Sequence, residues 1–392
     1  MPPIAGPSEI ASRYSLLLPE AVPGVVNGRR LPVRDDAHRI EHHYPGTGEK
    51  LYDVVETSVE EVDQAVLAAR AAFDEGSWAR LAHRDRKRML RRVIDVLEAH
   101  SEELAVLQAL DVGLPLSGLK GMHMPRTLEN FDFFIEVAGT AAGQAFTQTG
   151  DYLSVVTREP AGVAAILSPW NAPLVLSSMK LAAALALGNT VVIKPSEFAP
   201  NSLLRFIELL HEADLPPGVV NLVNGRGPVT GQALTSHPGV DVIGFIGGTA
   251  TGSAIMSSAA ATIKKVGLEL GGKSANIVLA SADFEQAVDG SLLAILTGSG
   301  QQCLAGSRIL IERPIADEFV EQFTARMRNI RIGDPFDADT ELGPMAFAAH
   351  RDKVLSYVGI AESEGAKLLC GGKAAEGFGD GYFIEPTAVM AA

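Results

Sequence analysis

Cysteine is scarce in this 392-residue chain. Only Cys303 and Cys370 occur, too few for a disulfide framework and without the paired spacing of a structural zinc site. That usage suits a reducing compartment, so the expected location is the cytoplasm. Long hydrophobic runs are missing as well. The most apolar stretches, 161–167 and 181–187, fall far short of the roughly 20 residues that a membrane span needs. Met1 to Val26 lacks a basic segment followed by an apolar run, so no export signal is expected, and its prolines argue against a helix there. Positive charge is in the minority, with 33 Lys and Arg against 47 Asp and Glu and a net charge of −14. A field of that sign repels phosphate backbones and anionic lipid, which argues against nucleic acid and membrane partners. No His-Glu-x-x-His, Cys-x-x-Cys, Gly-x-Ser-x-Gly or Walker lysine motif occurs, so no metal ion is expected, and hydrolase-elbow and P-loop chemistry lose support.

What is present is a globular composition, 47% hydrophobic and 20% charged, long enough for two or three domains. Ser58 and Glu61 form a capping-box pattern ahead of Val62, Val66, Ala69 and Phe73, predicting a helix. A second helical region runs from about Arg84 to Leu110, with a break at His100–Ser101. From Gln144 to Arg158 short β-branched runs flank a turn at Gly150–Asp151, predicting a hairpin able to pair with another subunit. Apolar β-prone runs then begin near 162, 190, 219, 241 and 263, the rhythm of βαβ units. Right-handed crossovers gather such runs into a parallel sheet whose ligands bind beyond the carboxyl ends of the strands. Strand, helix, strand and helix patterns at 275–279, 284–296, 308–311 and 314–330 predict a second α/β unit.

Several residues beyond those strand ends could carry chemistry. Gly247, Gly248, Thr249, Ala250, Thr251 and Gly252 follow an apolar run, so they fit either a phosphate cradle at a helix start or simple glycine packing. Lys194, Pro195, Ser196 and Glu197 end the second strand. Glu197 can accept hydrogen bonds from a ribose diol and would repel a 2′-phosphate, and the alternative is an exposed ion pair at a helix entry. Cys303 follows Gly300-Gln-Gln, a polar turn that exposes a thiol, whereas Cys370 ends an apolar run and reads as core filling. Glu269 stands among Val266, Leu268 and Leu270, where burial would make it a base, or else it pairs with Lys265 or Lys273. Asn171 can donate two amide hydrogens or cap the helix beginning at Pro173.

Taken together, Ser168-Pro-Trp-Asn-Ala-Pro173, Lys194-Pro-Ser-Glu197, Phe245-Ile-Gly-Gly-Thr249, Glu269-Leu-Gly-Gly-Lys-Ser-Ala-Asn276 and Gly300-Gln-Gln-Cys303 resemble the aldehyde dehydrogenase superfamily. Gly333-Asp-Pro335, Glu341-Leu-Gly-Pro344 and Gly381-Tyr-Phe-Ile-Glu-Pro-Thr387 extend the likeness. The resemblance implies an α/β fold in which residues 1–143 form the helical part of an NAD-binding domain and 144–160 an oligomerisation hairpin. Residues 161–270 would form the Rossmann-type parallel sheet and 271–392 the catalytic domain. It implies Cys303 as nucleophile, Asn171 and the Cys303 amide as oxyanion donors, Glu269 as the base that activates water, and Lys180 as a proton relay. Lys194 and Glu197 would hold the adenosine ribose, Gly227 and Gly231 the adenine side, and Gly248 and Thr249 the pyrophosphate. Ser168, Trp170, Phe245, Gly247 and Leu270 complete the implied cofactor set. NAD is expected in preference to NADP, with a small aldehyde as substrate and a homo-oligomer, dimer or tetramer, as the assembly.

Two departures stand out. Phe245-Ile-Gly-Gly-Thr249 replaces the family's common Phe-Thr-Gly-Ser-Thr, which removes a hydroxyl at Gly248 and is expected to weaken cofactor binding. The family's ribose-gripping Glu-x-Phe-Gly-Pro motif, which comes after the Glu-Pro-Thr element, is not in this sequence, so exposed apolar area is expected where that segment would pack. The alternatives to acid formation are a coenzyme A-acylating enzyme, which the Glu269 base argues against, and a shortened relative that binds NAD without turnover.

Overall fold

The computed structural model describes residues 4–148 and 150–391. The leader differs from its sequence reading, because Pro7–Arg13 is a helix. Pro7 occupies the first helical turn, where its missing N–H has no partner to lose, so proline starts this helix rather than breaking it. Short strands that the sequence did not announce follow: Arg39–His43 runs antiparallel to Lys50–Val55, which pairs in parallel with Ala21–Val22. The helix Val59–Asp74 carries the expected capping box, with the Ser58 amide donating to Glu61 at 2.9 Å and the Glu61 amide to the Ser58 hydroxyl at 3.2 Å. Helices His83–Ala99 and Ser101–Val112 break at His100, as expected.

The main sheet has seven strands in the order Lys265–Leu270, Val242–Gly247, Val163–Leu167, Thr190–Lys194, Val220–Leu222, Val25–Val26 and Arg29–Arg30. Its first five members are parallel, and the last two add an antiparallel edge. Val163–Leu167 and Thr190–Lys194 are buried along their whole length, which is why they read as unbroken apolar runs. Alternation then splits them: Ala164 and Ile166 face a core shared with the N-terminal helices, while Val163, Ala165 and Leu167 face one shared with Val62 and Val66. The strand order reverses at Val163–Leu167, since Thr190–Lys194 and Val220–Leu222, which follow it in the chain, lie on one side of it and Val242–Gly247 and Lys265–Leu270 on the other. A crevice opens at such a switch point, beyond the carboxyl ends.

After the fifth strand, Ala275–Val278 pairs in parallel with Arg308–Ile311, backed by helices Phe284–Leu296 and Ala316–Arg328 around Val278, Val288, Phe319, Phe323 and the buried Cys370. The other side of this pair is bare. Ile277 and Leu310 are register partners and both are exposed, as are Leu293 and Leu304. Gln144–Phe146 and Ser154–Val156 form the expected hairpin, exposed along both strands. Among the described residues no helix is long and apolar enough to cross a membrane.

Candidate active site

Four of the five parallel strands deliver candidate residues to the same edge of the sheet. Val163–Leu167 leads into Ser168, Trp170 and Asn171; Thr190–Lys194 ends on Lys194; Val242–Gly247 leads into Gly248 and Thr249; and Lys265–Leu270 carries Glu269 and Leu270. The Ser168 amide donates to the Lys194 carbonyl at 2.9 Å, and the Ser168 and Ser177 hydroxyls bond to each other, so Ser168 fixes the first loop from beneath. Trp170 packs edge-on against Phe347 at 5.3 Å and lies 4.8 Å from His350, while Phe347 stacks on Phe198 at 3.7 Å. Burial lowers the His350 pKa, which keeps this packing partner neutral.

Asn171 does not cap the helix Pro173–Ala186, which has no side-chain cap. Its amide nitrogen donates instead to the Gln301 carbonyl at 2.8 Å, tying the first loop to the cysteine turn, and its second hydrogen has no acceptor among the described residues. That turn is unusual backbone. Gly298, Ser299 and Gly300 all have positive φ, at 62°, 56° and 72°, and Ser299 is held there because its hydroxyl accepts from the Gly343 amide at 3.0 Å. Gln301 accepts from the Ala346 amide at 3.0 Å. The turn projects Cys303 into solvent, as expected of a reactive thiol, and no acceptor for its amide occurs among the described residues.

Glu269 corrects the sequence reading. Val266 and Leu268 turn toward the core, but alternation on this edge strand sends Glu269 to the other face, and 58% of its side chain is exposed. The burial inferred from its apolar sequence neighbours is therefore absent. Its partner is neither Lys265 nor Lys273: the Lys180 ammonium lies 3.3 Å away. Lys180 reaches across from the helix Pro173–Ala186 over Gly244, where there is no side chain to block it.

Lys194 is no surface ion pair either. Only 5% exposed, it donates to the carbonyls of Pro195 and Gly225, both at 2.6 Å, with Glu197 4.0 Å away, and burial lowers its pKa. Gly231 packs against the Lys194 stem, where a Cβ would sit 3.4 Å from Cε, and Gly227 faces open space. Phe245 is buried beneath the cradle, its ring so close to Gly247 that any Cβ there would lie 2.5 Å from it. Above it, Gly248 begins the helix Thr249–Ala260 with no side-chain cap and nothing within 4 Å of a Cβ. Leu270 is partly exposed and rests on Gly252 of that helix.

The aldehyde dehydrogenase family profile matches residues 33–391 of this chain. The chain belongs to the aldehyde dehydrogenase family. Mitochondrial aldehyde dehydrogenase of Mesocricetus auratus is 43% identical over 345 residues, covering 88% of this chain and 69% of the relative. Aldehyde dehydrogenase 1 of Tanacetum cinerariifolium is 42% identical over 345 residues, covering 88% and 68%. An aldehyde dehydrogenase from Bacillus cereus, solved as its NAD+ complex, superposes with a TM-score of 0.92 at 38% identity, covering 96% of this chain and 76% of that one. Among the residues that pack around the candidate ones, sequence reasoning missed Ser299, Gln301, Phe347, His350 and the pair Glu56–Arg226. Gln301 and Ser299 were available as the polar approach to Cys303, but their partners lie more than forty residues away in the chain.

Proposed function

We propose that this chain oxidises an aldehyde to a carboxylic acid, with NAD as the hydride acceptor. What supports the proposal is an exposed thiol at Cys303, an amide donor at Asn171 bonded into the same turn, and a carboxylate–lysine pair at Glu269 and Lys180 near the carboxyl end of the edge strand. Residues for a dinucleotide fit the same edge: Lys194 and Glu197 for the adenosine ribose, Gly227 and Gly231 for the adenine side, and the open, uncapped start at Gly248 and Thr249 for the pyrophosphate. Bound NAD would supply the hydride acceptor.

The chain's own groups do the rest. The Cys303 thiolate adds to the aldehyde carbon, and the resulting oxyanion is held by the free Asn171 hydrogen and the Cys303 amide. Collapse of that adduct expels hydride and leaves a thioester on Cys303. Glu269 takes a proton from the water that attacks the thioester, Lys180 steadies the carboxylate and passes the proton onward, and acid leaves as the thiol is restored. Glu269 favours water over coenzyme A as the acceptor. The exposed hairpin side chains Tyr152, Leu153, Val155 and Val156 support a homo-oligomer, dimer or tetramer, and two unbridged cysteines support the cytoplasm. The test mixes the chain with NAD and a panel of short aliphatic and aromatic aldehydes and follows NADH, with Cys303→Ala as control. NADH from the native chain alone, without coenzyme A, is the expected result; NAD binding with no NADH from any aldehyde would select a binding protein instead.

A further inference from the structure

The loop after Val220–Leu222 carries an arginine whose partner comes from the far end of the sequence. Arg226 donates from Nε and Nη2 to the two carboxylate oxygens of Glu56, at 2.9 and 2.7 Å, and its amide donates to the same carboxylate at 2.9 Å. Glu56 is 6% exposed, whereas Arg226 stands at the rim with 46% of its side chain in solvent. This fork-to-carboxylate geometry uses the guanidinium edge that would otherwise recognise a phosphate. Both partners adjoin the residues proposed above for the adenosine ribose: the Lys194 ammonium donates to the carbonyl of Gly225, next to Arg226, at 2.6 Å, and a Cβ on Gly225 would lie 2.8 Å from the Glu56 stem. Arg226 feels the charge of Glu197, and the buried Lys194 feels both Glu197 and Glu56.

We infer that Glu56, by holding Arg226, makes the adenosine-ribose subsite prefer a free 2′-hydroxyl over a 2′-phosphate; this rests on the dinucleotide reading above. With Glu56 in place, Lys194 and Arg226 are balanced by Glu56 and Glu197, and an incoming dianion meets no net positive charge. Neutralising Glu56 leaves one positive charge uncompensated and releases the guanidinium fork beside the ribose. Besides the Arg226 amide, the loop is held by bonds that do not use that carboxylate. The Thr57 amide donates to the Asn224 carbonyl at 2.8 Å, the Asn224 amide to the Thr57 hydroxyl at 2.9 Å, and the Thr230 hydroxyl to the Thr57 carbonyl at 3.0 Å. Glu56 is thus a specificity-determining residue whose neutralisation leaves these three loop bonds in place.

The test needs no turnover. Calorimetric titration of the full chain with ADP-ribose and with 2′-phospho-ADP-ribose gives the ratio of the two Kd values. The native chain should favour ADP-ribose by at least about tenfold. Glu56→Gln should shift the ratio toward the phosphorylated ligand by about tenfold or more, mostly through tighter binding of that ligand, and added salt should shrink the gain. Glu56→Gln/Arg226→Gln should return the ratio to its native value. If Glu56→Gln fails to fold, judged by circular dichroism melting, Glu56→Ser replaces it with the same expected ratio. A merely structural role would weaken both ligands together and leave the ratio unmoved, which overturns the inference, as does a shift that persists in the double variant. A native chain that binds neither ligand overturns the dinucleotide reading and this inference with it.

Discussion

Gly248→Ser separates two contributions that the helix start at Thr249 makes at once. Gly248 has φ −77° and ψ 147°, the extended geometry of an N-cap, and makes no side-chain hydrogen bond. A Cβ added there meets nothing within 4 Å, so serine enters without strain. Its oxygen can accept from a helix amide, worth only a few tenths of a kcal/mol relative to glycine. A stabilisation that small moves the melting temperature by roughly a degree in a chain of this size. The second effect is larger. One hydroxyl can accept from the helix and still donate to a pyrophosphate oxygen, and a hydrogen bond to a charged group contributes about 1.5–3 kcal/mol. Since about 1.4 kcal/mol is tenfold in affinity, NAD should bind Gly248→Ser about tenfold or more tightly than the native chain. Titration by calorimetry reads the affinity and thermal melting reads the cap. A normal or slightly raised melting temperature with unchanged NAD affinity would refute the placement of the pyrophosphate at this helix start.

Other substitutions test the remaining parts. Asn171→Ala removes an oxyanion donor and should lower kcat by about 10²–10³; because the same amide anchors the Gln301 carbonyl at 2.8 Å, KM should rise as well. An unchanged kcat in steady-state NADH assays would remove Asn171 from the oxyanion site. Gly162 has φ +130°, and a Cβ there would lie 1.8 Å from the Asp241 carboxylate, which accepts from the Val163 amide at 2.8 Å. Gly162→Ala should therefore cost upward of about 2 kcal/mol in denaturant unfolding. Buried Asp111, bonded to the Tyr52 hydroxyl at 2.5 Å, has its pKa pushed up to about 6 by burial, while His42, stacked on Tyr52, has its pKa pushed down to about 3. Folded Asp111 binds its proton more tightly than the unfolded chain does, so its contribution is present below about pH 4 and lost as pH rises through about 6. His42 works in the opposite sense, its contribution present above about pH 6.5 and lost as pH falls toward 3. Unfolding free energy measured from pH 4 to 6 should rise more steeply in Asp111→Asn than in the native chain and less steeply in His42→Phe; slopes of the opposite order would reject this assignment.

Which parts of the site could be read from the sequence follows from the range of the interactions involved. Lys194, Gly248, Asn171 and Cys303 each lie at the end of a strand, just beyond one or after a glycine turn, so local punctuation by Gly, Pro and polar residues marks them. Glu269 was found but misjudged, because sequence neighbours are not spatial neighbours on a pleated strand: Val266 and Leu268 share one face, while Glu269 shares the other with Lys180, 89 positions away. The leader strands escaped for a related reason. Ala21–Val22 and Val25–Val26 are two residues long and acquire their identity from Asp53, Val54 and Leu222, their distant register partners. Glu56 is the clearest case. Nothing next to it hints at a ligand, and its partner is 170 residues downstream, yet three hydrogen bonds converge on its carboxylate at 6% exposure. A buried carboxylate keeps its charge only where donors meet it, and they do, since Arg226 holds the Glu56 pKa below the usual carboxylate range. Motifs therefore mark the strand ends where the proposed cofactor and substrate would lie, and the long-range ion pair at the rim is the group proposed to govern which form of the cofactor is accepted.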